Sequence, residues 1–303
     1  CKLFNIMKPQ FQITRFKDMT VFTARHQLIY LMVLSCVSLV YSASQKNKCL
    51  HVGSFNVKWF NVGKSADHGI MSILVDVIQR YDVMLMMEIR DDSSQTAMTR
   101  LWKMVNVTSP FGLSLSKRLG RHSTSYAEQY GFFYRIGKAY LAGTIQYKDS
   151  LGDEFEREPY SVLIKTSPRS SHPGIAFIGV HIQPKVAVAE MGHMVDVTKS
   201  ILQQWNTNKG VILGDMNADC RYMSRIARTQ TPLRTVPGFT WLIPDTADTT
   251  VSRNTDCAYD RIIVTDTVAY RSASVFNFEK EYSLTYDEAH AVSDHFPVES
   301  RIC

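Results

Sequence analysis

The 303-residue sequence has no heptad array, no internal repeat and no long low-complexity stretch. These absences exclude coiled coils, solenoids and compositionally disordered chains. It lacks an apolar run long enough for a membrane span, which needs about 20 residues; the most apolar stretch, Leu28–Val40, falls short. No Pro/Gly/Ser-rich linker divides residues 45–303, so the body reads as a single domain. Charge of one sign is also scarce. The formal net charge is +6, and about four of those charges belong to residues 1–44, where Lys2, Lys8, Arg15, Lys17 and Arg25 face Asp18 alone. A body so nearly neutral does not bind nucleic acid through bulk charge, so any such contact must be local.

What is present begins with a targeting segment. Arg25 and His26 precede Leu28–Val40, and Ser42 and Ser44 suit the −3 and −1 positions of a cleavage site. A buried core helix and a retained anchor are the alternatives, but polar Gln45-Lys46-Asn47-Lys48 directly after the run favours cleavage. Residues 1–44 are read as a signal-peptide region with an upstream extension, and the mature chain as secreted, with no membrane attachment after cleavage. Four cysteines then remain: Cys49, Cys220, Cys257 and Cys303. An even count in an exported chain suggests two disulfides, and four cysteines allow three pairings.

With 45% apolar residues the body can bury a large core. Strand and helix patterns alternate, an α/β signature. Leu50–Asn56, Val83–Met87, Phe132–Tyr134, Ser161–Lys165, Ile175–Val180, Val211–Gly214, Arg261–Val264 and Phe296–Ile302 read as strands; Ile70–Arg80 and Val186–Trp205 carry helical periodicity. Several apolar strands end in a carboxylate, an amide or a histidine, and ligands in α/β sheets gather at strand ends.

Three clusters carry chemistry. In Gly214-Asp215-Met216-Asn217-Ala218-Asp219 a buried strand empties into oxygen donors that suit Mg²⁺, although an Asx-rich turn reads the same way. In Ser293-Asp294-His295-Phe296-Pro297-Val298 a carboxylate and an imidazole stand together. Phosphodiester hydrolysis needs an activated water, a protonated leaving alkoxide and neutralised phosphoryl charge, and such a pair beside metal carboxylates could supply these; the alternative is a surface turn. In Glu88-Ile89-Arg90-Asp91, Glu88 is a candidate metal ligand and Arg90 a candidate phosphate or base contact, against an ordinary solvated charge cluster. Asn106-Val107-Thr108 is a glycosylation sequon followed by Pro110 and Gly112, hence on a surface loop.

Phe55-Asn56, Met87–Asp91, Leu119-Gly120-Arg121, Ser125–Tyr130, Arg157-Glu158-Pro159, Gly179-Val180-His181, Gly214–Cys220, Trp241–Thr250, Cys257–Ile262 and Ser293–Val298 resemble, in order, the motifs of the deoxyribonuclease I family, over essentially all of residues 50–300. The resemblance implies a four-layer α/β/β/α sandwich with two packed, mostly antiparallel sheets. It implies a secreted, monomeric, divalent-metal-dependent endonuclease that hydrolyses phosphodiester bonds of double-stranded DNA and leaves 5′-phosphate ends. His181 and His295 would be the acid/base pair, held by Glu128 and Asp260 respectively. Asn56, Glu88, Asp215, Asn217 and Asp294 would bind the catalytic Mg²⁺ (or Mn²⁺) and the phosphate. Arg90 and Tyr126 would enter the minor groove and Arg157 would contact phosphate. Asp248, Thr249 and Thr250 resemble one structural Ca²⁺ loop, and Asp149, Asp153, Phe155 and Glu158 the other. Cys220 would pair with Cys257, both inside matching motifs. The superfamily's antiparallel first and last strands would bring Cys49 to Cys303.

The sequence departs from the family pattern at the shorter turn Tyr147–Glu156, which lacks a small disulfide, at two extra residues within Gly120–Tyr126, and in the terminal cysteines. Tight actin binding is not expected, because Lys117 in Leu113-Ser114-Leu115-Ser116-Lys117 stands where the family has an acid. The rival readings are another enzyme of the superfamily (an abasic-site endonuclease, a sphingomyelinase or an inositol-polyphosphate phosphatase) or a non-catalytic DNA-binding relative. The Arg90/Tyr126 pair, the Trp241–Thr250 stretch and the export signal favour the nuclease over the first, and the complete set of histidines and carboxylates argues against the second.

Overall fold

A computed structural model describes residues 49–120, 127–149 and 152–303. Residues 1–44, read above as a signal-peptide region, and Tyr126 therefore lie outside the described residues. Twelve strands are described: β1 (Leu50–Phe60), β2 (Val83–Ile89), β3 (Phe111–Leu115), β4 (Gln129–Arg135), β5 (Tyr140–Gln146), β6 (Tyr160–Lys165), β7 (Ile175–His181), β8 (Gly210–Asp215), β9 (Phe239–Trp241), β10 (Asp260–Thr265), β11 (Tyr270–Val275) and β12 (Val298–Ile302). They form two six-stranded sheets, ordered β11-β12-β1-β2-β4-β3 and β5-β6-β7-β8-β10-β9. Each sheet has one parallel pair, β1 with β2 and β7 with β8, and is otherwise antiparallel.

The pleat sorts side chains into layers, because successive residues of a strand face opposite ways. Val83, Leu85 and Met87 of β2 join Val211, Leu213, Ile262 and Val298 in the core between the sheets. Met84 and Met86 face the other way, onto the helices His68–Gln79 and Thr96–Val105. Ile178, Val180, Ile212 and Ile263 meet the long helix Ala187–Gln204 on the far side. The sandwich is thus helix, sheet, sheet, helix.

The periodic helices match their sequence pattern closely. His68–Gln79 starts at Asp67, whose carboxylate accepts the Ile70 N–H at 3.0 Å. The strands run longer than the apolar pattern suggests: β1 continues past Asn56 to Phe60 and β2 past Met87 to Ile89. The last strand starts at Val298 rather than Phe296, after Pro297, which has no N–H to give to a ladder. Both disulfides join the expected cysteines, Cys49 to Cys303 (Cα separation 4.1 Å) and Cys220 to Cys257 (5.9 Å). No described helix is long and apolar enough to cross a membrane.

Candidate active site

The same pleat that builds the inter-sheet core delivers the polar residues. Asn56 follows Leu50 and Val52 at even spacing, His181 follows Ile175 and Phe177, and Asp215 follows Val211 and Leu213; Asp260 precedes Ile262. All four therefore face the gap between the sheets. Register aligns three of them across neighbouring strands: His181 lies opposite Asp215 in the β7–β8 pair, and Asp215 opposite Asp260 in the β8–β10 pair. Gly214 permits this approach. Its φ is +148°, and a Cβ there would stand 1.8 Å from the Val180 carbonyl oxygen.

Glu88 reaches the group by a different device. Asn56 pairs with Met87 and Phe60 with Ile89, so three residues of β1 oppose Glu88 alone. Lys58, Trp59 and Glu88 all take positive φ (47°, 55° and 58°), a strained geometry for non-glycine residues. The bulge turns Glu88 toward the site. Its Oε1 accepts Asn56 Nδ2 (2.9 Å) and its Oε2 accepts the Trp59 N–H (3.1 Å).

The two histidines flank one carboxylate. Asp215 Oδ2 is 3.7 Å from His181 Nε2 and 3.6 Å from His295 Nε2, and it accepts Asn56 Nδ2 at 3.1 Å. Each imidazole is fixed from behind through Nδ1: His181 by Glu128 (3.0 Å) and His295 by Asp260 (2.7 Å). Such carboxylate partners set tautomer and ring orientation. Burial alone would raise the Glu128 carboxyl, but the hydrogen bond to His181, with Arg157 and Arg90, outweighs it and holds the group at about 2. Burial pushes Asp260 up to about 6 despite His295. Burial would lower His295, yet Asp260 and Asp215 raise it well above the ordinary histidine value.

Several supporting contacts have no obvious sequence signal. The Tyr130 hydroxyl accepts the His181 N–H (2.8 Å) and donates to the Arg157 carbonyl (3.2 Å). Thr249 Oγ1 accepts the Asp260 N–H (3.2 Å) and the Tyr259 N–H (3.0 Å). Ser293 Oγ donates to the Asn56 carbonyl (2.6 Å) and accepts the His295 N–H (3.0 Å). A hydroxyl that only orders its neighbours resembles any other buried Ser, Thr or Tyr in a sequence; proximity to a motif is the one available hint.

The other expected residues fall in three places. Asn217 sits beside Asp215, taking the Asp215 Oδ1 at its N–H (3.0 Å) and donating Nδ2 to the Ile182 carbonyl (2.9 Å). Asp294, next to His295, is among the charges that raise that histidine. Arg90 donates to Glu128 through Nη2 (2.7 Å) and lies over the Trp59 ring. Arg157 Nε donates to the His181 carbonyl (3.1 Å), while its buried Nη2 has no hydrogen-bond partner among the described residues. Outside the site, Asp248 Oδ1 accepts the Thr250 N–H (3.0 Å) and hydroxyl (2.8 Å). Asp149 Oδ2 accepts the N–H groups of Glu154 (2.8 Å) and Phe155 (3.2 Å), and its buried Oδ1 has no partner among the described residues; Asp153 is exposed, the Phe155 side chain is buried and Glu158 is half-buried. Asn106 ends the Thr96–Val105 helix with its amide bonded to the Trp102 and Phe111 carbonyls, and Val107 beside it is 84% exposed.

The donor set fits a hard divalent cation. Glu88 and Asp215 bring carboxylate oxygens to one buried amide, with further oxygen groups on Asn217 and Asp294 close in sequence. Asp215, Asp260 and His295 also offer ligand atoms within 4.8 Å of one another. In that trio Asp260 already holds His295 Nδ1 at 2.7 Å, so it is better described as a carboxylate–histidine pair facing the Asp215 carboxylate than as a three-ligand site. The unpartnered Asp149 oxygen likewise suits Ca²⁺ in its loop.

The chain matches the model of the Endonuclease/Exonuclease/phosphatase family over residues 53–295. Among solved structures it superposes on the human Nocturnin catalytic domain with a TM-score of 0.60 at 12% identity, covering 84% of this chain and 93% of that one. It superposes equally well (TM-score 0.60, 18% identity, 84% and 99% covered) on an endonuclease/exonuclease/phosphatase family protein from Leptotrichia buccalis. These likenesses bear on the fold. Sequence relatives lie closer: Deoxyribonuclease-1-like 2 of Mus musculus is 40% identical over 82% of this chain and 90% of its own length. Deoxyribonuclease gamma of Mus musculus is 36% identical over 89% of both, and Deoxyribonuclease-1 of Bos taurus 37% identical over 82% and 91%. With the family model matched over most of the chain and relatives at 36–40% identity over more than four fifths of it, the chain belongs to the endonuclease/exonuclease/phosphatase superfamily and, within it, to the deoxyribonuclease I family.

Proposed function

We propose that this chain is a divalent-metal-dependent endonuclease that hydrolyses the phosphodiester backbone of double-stranded DNA and leaves 5′-phosphate ends. The observation that carries this reading is the near-symmetric placement of His181 and His295, each 3.6–3.7 Å from Asp215 Oδ2 and each held by its own carboxylate. Glu88, Asp215, Asn56, Asn217 and Asp294 would hold Mg²⁺ or Mn²⁺, which supplies neutralisation of phosphoryl charge and a more acidic water.

The chain's own groups supply the proton transfers. One histidine Nε2 takes the proton of the attacking water, and the other delivers a proton to the leaving sugar oxygen. Glu128 and Asp260 keep Nδ1 protonated, so each Nε2 faces the scissile phosphate. The free Nη2 of Arg157 donates to a phosphoryl oxygen. Arg90 and Tyr126 contact the minor groove.

The reading extends to a secreted monomer with a cleaved 1–44 segment, structural Ca²⁺ at Asp248/Thr249/Thr250 and at Asp149/Asp153/Phe155/Glu158, and a glycan on Asn106. It also extends to weak or no binding of actin, since the edge strand Phe111–Leu115 leads into exposed Lys117. Nanomolar inhibition by monomeric actin, or a mass unmoved by glycosidase on eukaryotically expressed protein, contradicts those two points. The central test is plasmid nicking with Mg²⁺ and Ca²⁺, with and without a chelator, together with end-labelling of the products. Chelator-sensitive nicking with 5′-phosphate ends is expected; metal-independent cleavage or an inert protein overturns the reading. Melting curves of the same metal-free protein should rise on adding Ca²⁺, and an unchanged midpoint excludes both Ca²⁺ loops.

A further inference from the structure

Among the exposed large apolar side chains, Trp59 is the one tied to the active site. Its side chain is 53% exposed, while its backbone N–H donates to Glu88 Oε2 at 3.1 Å. An indole left in water forgoes burial that a tryptophan normally finds. This one is also held at φ +55°, directly after Lys58 at φ +47°. Two successive left-handed residues, neither of them glycine, are a costly way to present a side chain, and such strain is concentrated where a site requires it.

The ring is not loose. The Arg90 guanidinium lies 4.8 Å from its centroid, within cation–π range. That guanidinium also bonds Glu128, and Glu128 holds His181 Nδ1. The indole therefore connects to a catalytic histidine through two side chains and to a metal carboxylate through one backbone bond. Neighbouring Lys58 is engaged elsewhere, with its Nζ 3.3 Å from His290 Nε2. A rigid, solvated aromatic face beside the scissile bond has the chemistry to stack on a nucleobase, which every base offers through its π-face.

We propose that Trp59 is a stacking platform for a base adjacent to the scissile phosphate, an inference that rests on the nuclease reading above. In an intact duplex each base face is covered by its neighbours, so the platform acts on bases that are unstacked. Its contribution is then largest on single-stranded or locally opened DNA, and it sets a preference of DNA form that the catalytic residues alone do not.

The test compares wild type with Trp59→Ala on three substrates: single-stranded oligothymidylate, duplex plasmid and an abasic deoxyribose-phosphate oligomer, which has no base and no other aromatic ring. Alanine retains the N–H that serves Glu88. The expected loss in kcat/KM on the oligonucleotide is about 5- to 100-fold. It should exceed the loss on the abasic oligomer, which lacks anything to stack, with the duplex in between, and Trp59→Phe should recover most of it where Trp59→Leu does not. Equal losses on oligothymidylate and abasic oligomer, no loss, or rescue by leucine as complete as by phenylalanine overturns the platform. Should the alanine variant fail to fold, the phenylalanine and leucine variants carry the same comparison. A wild-type protein that cleaves neither DNA overturns the nuclease reading itself, whereas an active wild type without the selective loss overturns only the role of Trp59.

Discussion

At the scale of single residues, the candidate site holds two imidazoles in one orientation each. His181 and His295 present Nε2 to the same Asp215 oxygen, and their Nδ1 atoms are occupied by Glu128 and Asp260. Neither can be replaced by water at the right place and angle. His181→Ala and His295→Ala should each lower nicking by roughly 10²–10⁴-fold, the usual worth of a general acid or base, with the circular-dichroism spectrum and melting midpoint retained. A folded variant that nicks at nearly the wild-type rate removes that histidine from the mechanism. The double variant should cost less than the two losses combined, since groups that act as a unit are not additive. These two histidines and their carboxylates were legible in the sequence because each sits inside a motif at or near a strand end. Tyr130, Thr249 and Ser293 were not, because each acts by ordering a neighbour's backbone.

At the scale of elements, the strands that the apolar pattern misses are those at the sheet edges: β3, β5, β9 and β11. An edge strand packs on fewer neighbours and carries fewer apolar residues; Tyr270–Val275 is mostly exposed. Central strands, covered on both faces, carry denser apolar patterns, continuous in Val83–Met87 of β2, and were legible. The Glu88 bulge was hidden for another reason: nothing in Val83–Ile89 marks where the parallel register to β1 slips. Charge also pins an element. Glu299 of β12 accepts Arg80 through both oxygens (2.6 and 2.9 Å) and the Tyr81 hydroxyl (3.0 Å), with His51 Nε2 at 3.4 Å. Burial would raise this carboxyl, but Arg80 and His51 outweigh it and hold it well below the usual carboxylate range. A carboxyl depressed by folding adds stability above its unfolded value of about 4.3 and loses it as pH falls toward the folded value. Wild type should therefore melt above Glu299→Gln at neutral pH, and the gap should close progressively below about pH 4. A gap independent of pH from 7 to 2 would assign Glu299 a role in packing alone.

At the scale of the whole molecule, the unit of residues 49–303 begins and ends in the middle of a sheet. β1 and β12 are neighbours flanked by β2 and β11, with Leu50 opposite Ile302 and the Cys303 N–H bonded to the Ala269 carbonyl at 2.7 Å. Termini fray first in most domains, and fraying here would open an interior ladder that also carries Asn56 toward the site. The Cys49–Cys303 disulfide closes that opening across a sequence separation of 254 residues. In the chain-entropy account a loop of this size limits the unfolded state by about 5 kcal/mol, and the separation of 37 residues between Cys220 and Cys257 by about 4 kcal/mol. For a domain of this size each kcal/mol moves the melting midpoint by about 2–4 °C. Cys49→Ala, Cys303→Ala and the double variant should therefore melt about 10–20 °C below wild type without reductant. All three should agree closely, because either substitution removes the same bond. Hydrogen exchange should rise first at Leu50–Ser54 and Val298–Ile302, while the β7–β8–β10 ladder that aligns His181, Asp215 and Asp260 stays protected. Melting at the wild-type midpoint, or exchange that rises uniformly over both sheets, would show that the hydrogen-bonded ladder, and not the disulfide, holds the ends together.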